Sequence, residues 1–148
     1  MIKLLSLLGL KIRPWPPRVR FGLLIGLGVL VLVVTYYGVI SPNPLPDHRL
    51  IVGWNDVLLH IGAFSALTLV GALLFTPALQ VGVVAFAAGL ALETIQTASP
   101  HHEPSLRDLV ADGVGVVLAL VVFGVMNWTW TRLSGTALPG PAKTGEPI

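Results

Sequence analysis

Four long runs of apolar residues constrain what this chain can fold into. The first run, residues 21–40, contains no charged residue. A helix of 20 residues rises about 30 Å, which is the thickness of the hydrocarbon core of a bilayer. Three further runs of similar length cover about residues 54–75, 79–97 and 108–130. The sequence therefore predicts an all-α membrane protein, a bundle of four transmembrane helices.

The composition supports this prediction and excludes several other classes of protein. Of 148 residues, 54% are hydrophobic and only 11% are charged, whereas soluble domains are about 25% charged. A soluble domain of this size could not hide so much apolar surface. The absence of cysteine excludes disulfides, thiol nucleophiles and Cys-ligated metals. The few charges form no basic stripe on a soluble face, so we expect no nucleic-acid partner.

The segments on either side of the four runs are different in character. Residues 1–20 are predicted to be a cytoplasmic or interfacial lead-in, in which prolines 14, 16 and 17 separate a short interfacial helix from the first span. Trp15 is expected to anchor this lead-in at the membrane surface. Residues 21–132 are predicted to form the transmembrane domain. Residues 133–148, rich in Gly, Pro and Thr, are predicted to be a disordered cytoplasmic tail.

The distribution of Lys and Arg predicts the orientation of the spans. Two of these residues, Arg49 and Arg107, fall in the two loops on one side. Seven lie on the other side, before the first span or after the last: Lys3, Lys11, Arg13, Arg18, Arg20, Arg132 and Lys143. Because cytoplasmic segments are enriched in Lys and Arg, both termini are predicted to be cytoplasmic.

Small residues spaced four apart suggest where helices pack. Such pairs let two backbones approach closely in a membrane, although Gly and Ala are also common in any membrane helix, so the alternative is that the spacing has no role. The candidate pairs are Gly22/Gly26, Gly62/Ala66, Ala85/Gly89 and Gly115/Ala119.

Ionisable residues within the spans concentrate near the predicted outer face. Three helices contribute i,i+3 or i,i+4 pairs, and members of such a pair share one helix face. Buried charge in a membrane is costly and by default indicates a functional site. The candidate polar pocket consists of Asp56, His60, Glu93, Gln96, His102, Ser105, Arg107, Asp108 and Asp112.

A purely structural role remains open for several of these residues. Asp56 and Asp108 could complement helix N-termini, with Ser105 or Asp108 as a cap. His60 could simply bond to Asp56 on its own helix. Arg107 could be the counter-ion of Glu93 or of loop residue Glu103. Glu93 is the hardest to explain in this way, because no cap accounts for an acid about one turn before a helix end.

The order of these residues resembles the VanZ-like family. The matching pattern is Asp56-x3-His60-x3-Phe64-x2-Leu67, then Glu93-x2-Gln96, then Ser105-x2-Asp108-x3-Asp112-x2-Gly115, and it covers about residues 54–120. The family usually has Lys where Val57 stands, Arg where His102 stands and Asn where Asp112 stands. VanZ-like proteins are small bacterial multi-pass membrane proteins, and one member is associated with teicoplanin resistance. The resemblance therefore implies a protein of the bacterial cytoplasmic membrane.

Three functional hypotheses follow. The first is a protein of the cell envelope whose outward polar pocket binds an envelope lipid, a cell-wall precursor or a glycopeptide, with no cofactor and no metal. The second is an intramembrane acid–base or metal-dependent enzyme acting on a lipid-linked envelope substrate. The chain has neither His-Glu-x-x-His nor Gly-x-Ser-x-Gly, which favours the non-enzymatic hypothesis. The third is a proton path or a carrier subunit. Membrane lipid is an expected partner, and a second copy of the chain is a further candidate.

Overall fold

Four helices long and apolar enough to cross a membrane dominate the computed structural model, which describes residues 2–37, 52–97, 105–136 and 138. They are α2 (Pro17–Thr35), α3 (Val52–Leu74), α4 (Ala78–Gln96) and α5 (Leu106–Ser134), and a short helix, α1 (Ile2–Leu7), precedes them. The prediction of four helices able to span a membrane is thereby confirmed. Their length and composition fit a multi-pass membrane protein.

Prolines and a glycine define several of the helix ends. Helix α2 begins at Pro17, before the predicted start at residue 21, because proline is well tolerated in the first helical turn. Helix α4 begins directly after Pro77. Helix α5 follows Ser105, carries Asp108 in its first turn and ends at Gly135, whose φ of 70° is left-handed. That ending is typical of glycine, which has no Cβ to resist it.

A two-residue ladder ties the lead-in to the connection between α3 and α4. Strand β1 (Lys11–Ile12) pairs antiparallel with β2 (Phe75–Thr76), with Lys11 opposite Thr76 and Ile12 opposite Phe75. The residues that precede α2 therefore lie beside the end of α3 and the start of α4.

Arg13 and Trp15, here called the N-terminal clasp, close the C-terminal end of α3. Arg13 is only 6% exposed, and its Nε donates to the carbonyl oxygens of Ala72 at 2.9 Å and Phe75 at 3.2 Å. The indole N–H of Trp15 donates to the carbonyl of Leu73. The last carbonyls of a helix have no partner within the helix, so the clasp provides donors where they are needed.

The clasp is also held from the side of α5. The Arg13 guanidinium lies 5.1 Å from the centre of the Phe123 ring, a cation–π contact. Burial lowers the pKa of Arg13 from its usual value, but an arginine still keeps its charge at neutral pH. That positive charge lies beside a helix C-terminus, which carries partial negative charge.

The chain beyond α5 folds back onto the same end of the molecule. Leu138 donates its backbone N–H to Oδ1 of Asn127 at 3.2 Å, and its side chain is buried in a cluster with Ala72 and Phe123. Residues 137 and 139–148 of the predicted tail lie outside the described residues. Leu138 of the predicted tail is thus buried in this cluster, whereas residues 133–136 are exposed.

Helix α3 occupies the centre of the arrangement, packing against α5 most extensively and also against α2 and α4. Gly115 allows the close approach of α5, because a Cβ there would lie 2.6 Å from the carbonyl oxygen of Ile61. Ser65 donates its hydroxyl to the carbonyl of Gly115 at 3.0 Å. Together with the burial of Ala119, this confirms Gly115/Ala119 as a packing pair.

Of the other small-residue pairs, one has a glycine that packs against a neighbouring helix and two have glycines that pack against no described neighbour. Gly89 is packed tightly against its neighbours, as the Ala85/Gly89 spacing predicts. A Cβ at Gly22, Gly26 or Gly62 would meet no described atom within 4 Å. The expectation that these three glycines make packing contacts is wrong for the described part of the chain, since spacing alone does not decide which face of a helix meets a neighbour.

Candidate polar site at one end of the helices

The end of the molecule opposite the clasp brings together the first turns of α3, the last turns of α4 and the first turns of α5. This follows from the topology: the ends of α3 and α5 meet at the Ala72, Phe123 and Leu138 cluster, so their beginnings lie at the far end. Helix α4 runs back from the clasp and ends there as well. We call this region the polar end; its described members are His60, Glu93, Gln96, Ser105, Asp108 and Asp112.

A hydrogen bond between His60 and Asp112 joins α3 to α5 at the polar end. His60 Nδ1 lies 2.8 Å from Oδ1 of Asp112, and an ionised carboxylate can only accept, so the imidazole nitrogen donates. Asp112 is 1% exposed, while the His60 side chain is 25% exposed. A carboxylate so deeply buried requires a hydrogen-bonding partner, and the imidazole provides one.

The bond from His60 to Asp56 that the i,i+4 spacing allows stays a prediction, and the described partner of His60 is Asp112 from α5. The side chain of Asp56 lies outside the described residues, and so does His102. Helices α3 and α5 meet so closely at Gly115 that a partner across the interface comes within hydrogen-bonding distance.

Gly89 of α4 makes room for the Asp112 carboxylate. A Cβ at position 89 would lie 2.7 Å from Oδ2 of Asp112 and 3.1 Å from the Phe64 ring. The carboxylate therefore rests against bare helix backbone, and the ring of Phe64, which is 2% exposed, packs against the same glycine. Three helices thus enclose Asp112.

Glu93 connects the end of α4 to the start of α5. One of its oxygens, Oε2, accepts the backbone N–H of Ser105 at 2.9 Å, and Glu93 is 8% exposed. Ser105 is the N-cap residue of α5, but its hydroxyl makes no capping hydrogen bond. The predicted serine cap is therefore wrong: an acid from the neighbouring helix takes a backbone donor at this helix start, where partial positive charge favours a carboxylate.

The other described members surround this acid. Asp108, Asp112 and His60 all interact electrostatically with Glu93, so the ionisable groups form one cluster rather than isolated pairs. Gln96, one turn after Glu93, is buried to the same extent, at 8% exposed. Arg107 lies on an exposed surface of α5, where it lines a groove against α3.

Among the described residues, the chemistry available at the polar end is that of acids with a single imidazole. Bonding to Asp112 places the His60 proton on Nδ1 and directs Nε2 away from the carboxylate. An imidazole oriented in this way can exchange a proton or hydrogen-bond a ligand through Nε2. Among the described residues, no three His, Cys, Asp or Glu side chains gather closely enough to hold a metal ion.

Sequence analysis missed two features that shape this cluster. The first is the backbone N–H of Ser105, which residue-type patterns do not reveal because every residue except proline carries such a group. The second is the wall formed by Gly89 and Phe64, for which the small-residue spacing of Ala85/Gly89 was a signal. Comparison of the chain with family models, curated proteins and solved structures finds no match.

Proposed function

We propose that this chain is a VanZ-like protein of the bacterial cytoplasmic membrane whose polar end faces outward and binds a polar ligand of the cell envelope. The ligand classes are a cell-wall precursor, a glycopeptide such as teicoplanin, or the headgroup of an envelope lipid. In this proposal the protein acts in the response to glycopeptides.

The distribution of positive charge supports the orientation. Of the described residues, Lys11, Arg13, Arg18 and Arg20 lie in the lead-in or the first turns of α2, and Arg132 lies in the last turn of α5. All of these positions belong to the clasp end. Arg107 is at the opposite end. By the positive-inside tendency, the clasp end faces the cytoplasm and the polar end faces outward.

The observation that carries the proposal is the burial of Asp112 and Glu93, from two different helices, beside His60 from a third. Charged side chains in membrane helices cost about 2.5–3.5 kcal/mol at the bilayer centre, and the same fold could be stabilised by apolar residues instead. Acids retained at one end, close to the membrane surface, are suited to contact a ligand that reaches that surface.

The charge of the cluster indicates what kind of ligand it suits. Glu93, Asp108 and Asp112 are hydrogen-bond acceptors when ionised, with one imidazole among them. Such a site favours ligands rich in N–H and O–H donors, such as amides, sugar hydroxyls and amines. Peptide–sugar precursors and glycopeptides carry these groups in abundance.

Susceptibility to teicoplanin tests the proposal in cells. Expression of the wild-type chain in a sensitive strain is expected to raise the inhibitory concentration, and Glu93→Gln and Asp112→Asn are expected to abolish this rise at equal protein levels. Thr94→Ala is the matched control, because Thr94 is exposed on α4 and bonds only to its own helix, at the carbonyl of Leu90. The proposal would be overturned if expression of the wild-type chain changed neither the teicoplanin susceptibility of the sensitive strain nor its pools of cell-wall precursors.

Direct binding tests it with purified protein. Titration of teicoplanin into the full chain in nanodiscs is expected to give a Kd that Glu93→Gln weakens about tenfold, since a hydrogen bond to a charged group contributes about 1.5–3 kcal/mol. Equal affinity of Glu93→Gln and Thr94→Ala would show that the acid does not contact the ligand.

A second candidate function is an intramembrane acid–base enzyme, favoured by one observation. A carboxylate bonded to imidazole Nδ1 is the arrangement that orients a histidine as a general base. The test is turnover of a lipid-linked cell-wall intermediate by purified protein, with His60→Gln as the inactive variant. Absence of product from the wild-type protein, with and without added divalent metal, would reject this candidate.

A further inference from the structure

A groove separate from the polar cluster runs along the seam between α3 and α5. It encloses about 450 Å³. Its lining residues are Val57 and Ile61 from α3 and Leu106, Arg107, Val110, Ala111 and Val114 from α5. None of the lining residues belongs to α4, the helix that holds Glu93 against α5 on the other side of the seam.

The groove lies at the depth where a lipid headgroup meets its chains. Arg107 stands in the first turn of α5, at the end of a helix able to cross the membrane. Val114, seven residues further along, lies about 10 Å deeper at 1.5 Å per residue. The groove thus starts at the membrane surface with a cation and continues into the hydrocarbon region with aliphatic side chains.

The charge and the polarity of the lining residues both indicate which kind of molecule the groove can bind. Every lining residue except Arg107 is apolar, which suits an acyl chain. A guanidinium presents N–H donors in a fork that matches phosphate oxygens, and arginines at this depth face the headgroup layer. Asp108, the next residue along α5, is not among the residues that line the groove.

We infer that this groove binds an anionic phospholipid, with the phosphate on Arg107 and one acyl chain along Val110, Val114 and Ile61. The inference requires only that the helices cross a membrane, and it depends neither on the outward orientation nor on glycopeptide binding. The protein would then hold a structural or regulatory lipid beside the cross-helix bond of His60 to Asp112, on the same two helices.

Native mass spectrometry of the full chain with defined lipids tests the inference. The wild-type protein is expected to bind phosphatidylglycerol about tenfold more tightly than phosphatidylcholine with the same chains, because only the former carries net negative charge. Arg107→Gln is expected to remove that preference. Arg132→Gln is the matched control: Arg132 lies at the other end of α5, over the Trp128 ring, and its loss is expected to leave the preference unchanged.

A second pair of variants tests the apolar wall. Val110→Trp fills the groove and is expected to weaken binding of both lipids, whereas Val121→Trp is not. The two valines are similarly exposed, at 59% and 57%, but Val121 does not line the groove.

Three results would overturn the inference. The first is a phosphatidylglycerol preference that survives Arg107→Gln, and the second is equal weakening by Val110→Trp and Val121→Trp. The third is displacement of the lipid by inorganic phosphate at millimolar concentration, which would show a site for phosphate alone. Arg107→Gln changes an exposed residue and is expected to fold normally. It therefore tests the inference even if the tryptophan variants fold poorly. No glycopeptide is present in this assay, so its outcome is separate from that of the proposed function.

Discussion

The two ends of the molecule bury polar groups in opposite ways. At the clasp end, Arg13 and Trp15 direct their N–H groups at backbone carbonyls of α3. At the polar end, Asp112 bonds to the imidazole of His60, and Glu93 accepts a backbone N–H from α5. The clasp end uses side-chain donors to complete a helix terminus. The polar end concentrates side-chain acceptors from several helices.

The difference supports a structural role for the clasp end and the binding that we propose for the polar end. The donors of the clasp bond to carbonyls at and just beyond the end of α3, where a helix leaves its last carbonyls without an intrahelical partner. Removing these donors is therefore expected to lower stability. A carboxylate offers about four acceptor positions, and the described hydrogen bonds use Oε2 of Glu93 and Oδ1 of Asp112. The polar end therefore has more acceptor positions than its described hydrogen bonds use.

Separation of α3 from α5 is expected to have the largest effect and to damage the polar end first. Gly115→Ala places a methyl group 2.6 Å from the backbone oxygen of Ile61. Because a backbone atom is fixed in its helix, the clash can be relieved only by moving one helix away from the other. We expect a loss of about 3 kcal/mol, at the upper range for overpacking, measured by denaturant titration in mixed micelles.

The matched control for this substitution is Gly124→Ala on the same helix, where the added Cβ meets no described atom within 4 Å. Alanine is the better helix former by about 1 kcal/mol, so this variant should be as stable as the wild type or more so. Equal destabilisation by the two variants would contradict the close approach at Gly115.

Removal of the clasp donor is expected to have the next largest effect. Arg13→Ala leaves the carbonyls of Ala72 and Phe75 without the guanidinium donor in a buried site, at a cost of about 2–3 kcal/mol. Arg18→Ala removes an exposed arginine of the same region and is expected to change stability by less than about 0.5 kcal/mol. Similar unfolding midpoints for the two variants would show that the clasp does not secure the end of α3.

A double-mutant cycle tests the bond that joins α3 and α5. We expect a coupling energy of about 1 kcal/mol between His60→Gln and Asp112→Asn, in the range of hydrogen bonds between membrane helices. The cycle of Arg13→Ala with Asp112→Asn, at opposite ends of the molecule, is expected to be additive within about 0.5 kcal/mol. Coupling of similar size in both cycles would mean that the two ends are not independent.

The smallest expected loss of stability is that of Glu93→Gln. Comparing this variant with Glu93→Leu tests whether α5 requires the hydrogen-bond acceptor or the negative charge of Glu93. Glu93→Gln keeps an oxygen that can accept the Ser105 N–H, so we expect a loss of only about 0.5 kcal/mol in stability. Glu93→Leu removes the acceptor and should cost about 1–2 kcal/mol. If both variants lost the same stability, the negative charge rather than the hydrogen bond would be what α5 requires.

Particular residues show how far the sequence predicts the site. The spacing of Gly115 and Ala119 indicated an interface, and the structure places α3 there. The spacing of Asp56 and His60 allowed a bond within one helix, but it gave no sign that Asp112 of α5 bonds to His60. Local spacing reports which residues share a face, but it does not report which helix lies opposite that face.

Arg13 shows the same limit at the other end of the molecule. By sequence it counted as one of seven positive charges on the cytoplasmic side, and nothing near it in the chain indicated burial. The β1–β2 ladder brings it against the end of α3, about 60 residues away in the sequence.

The sequence by itself determined that this protein has four helices able to span a membrane and that the acids within them lie toward one end. Both follow from the cost of placing each residue in hydrocarbon, which depends only on residue type and on order along the chain. Only the tertiary structure decided that Asp112 pairs with His60, that Glu93 holds the start of α5 and that Arg13 completes α3. Those contacts depend on the distance between helices, which residues such as Gly115 and Gly89 set through packing.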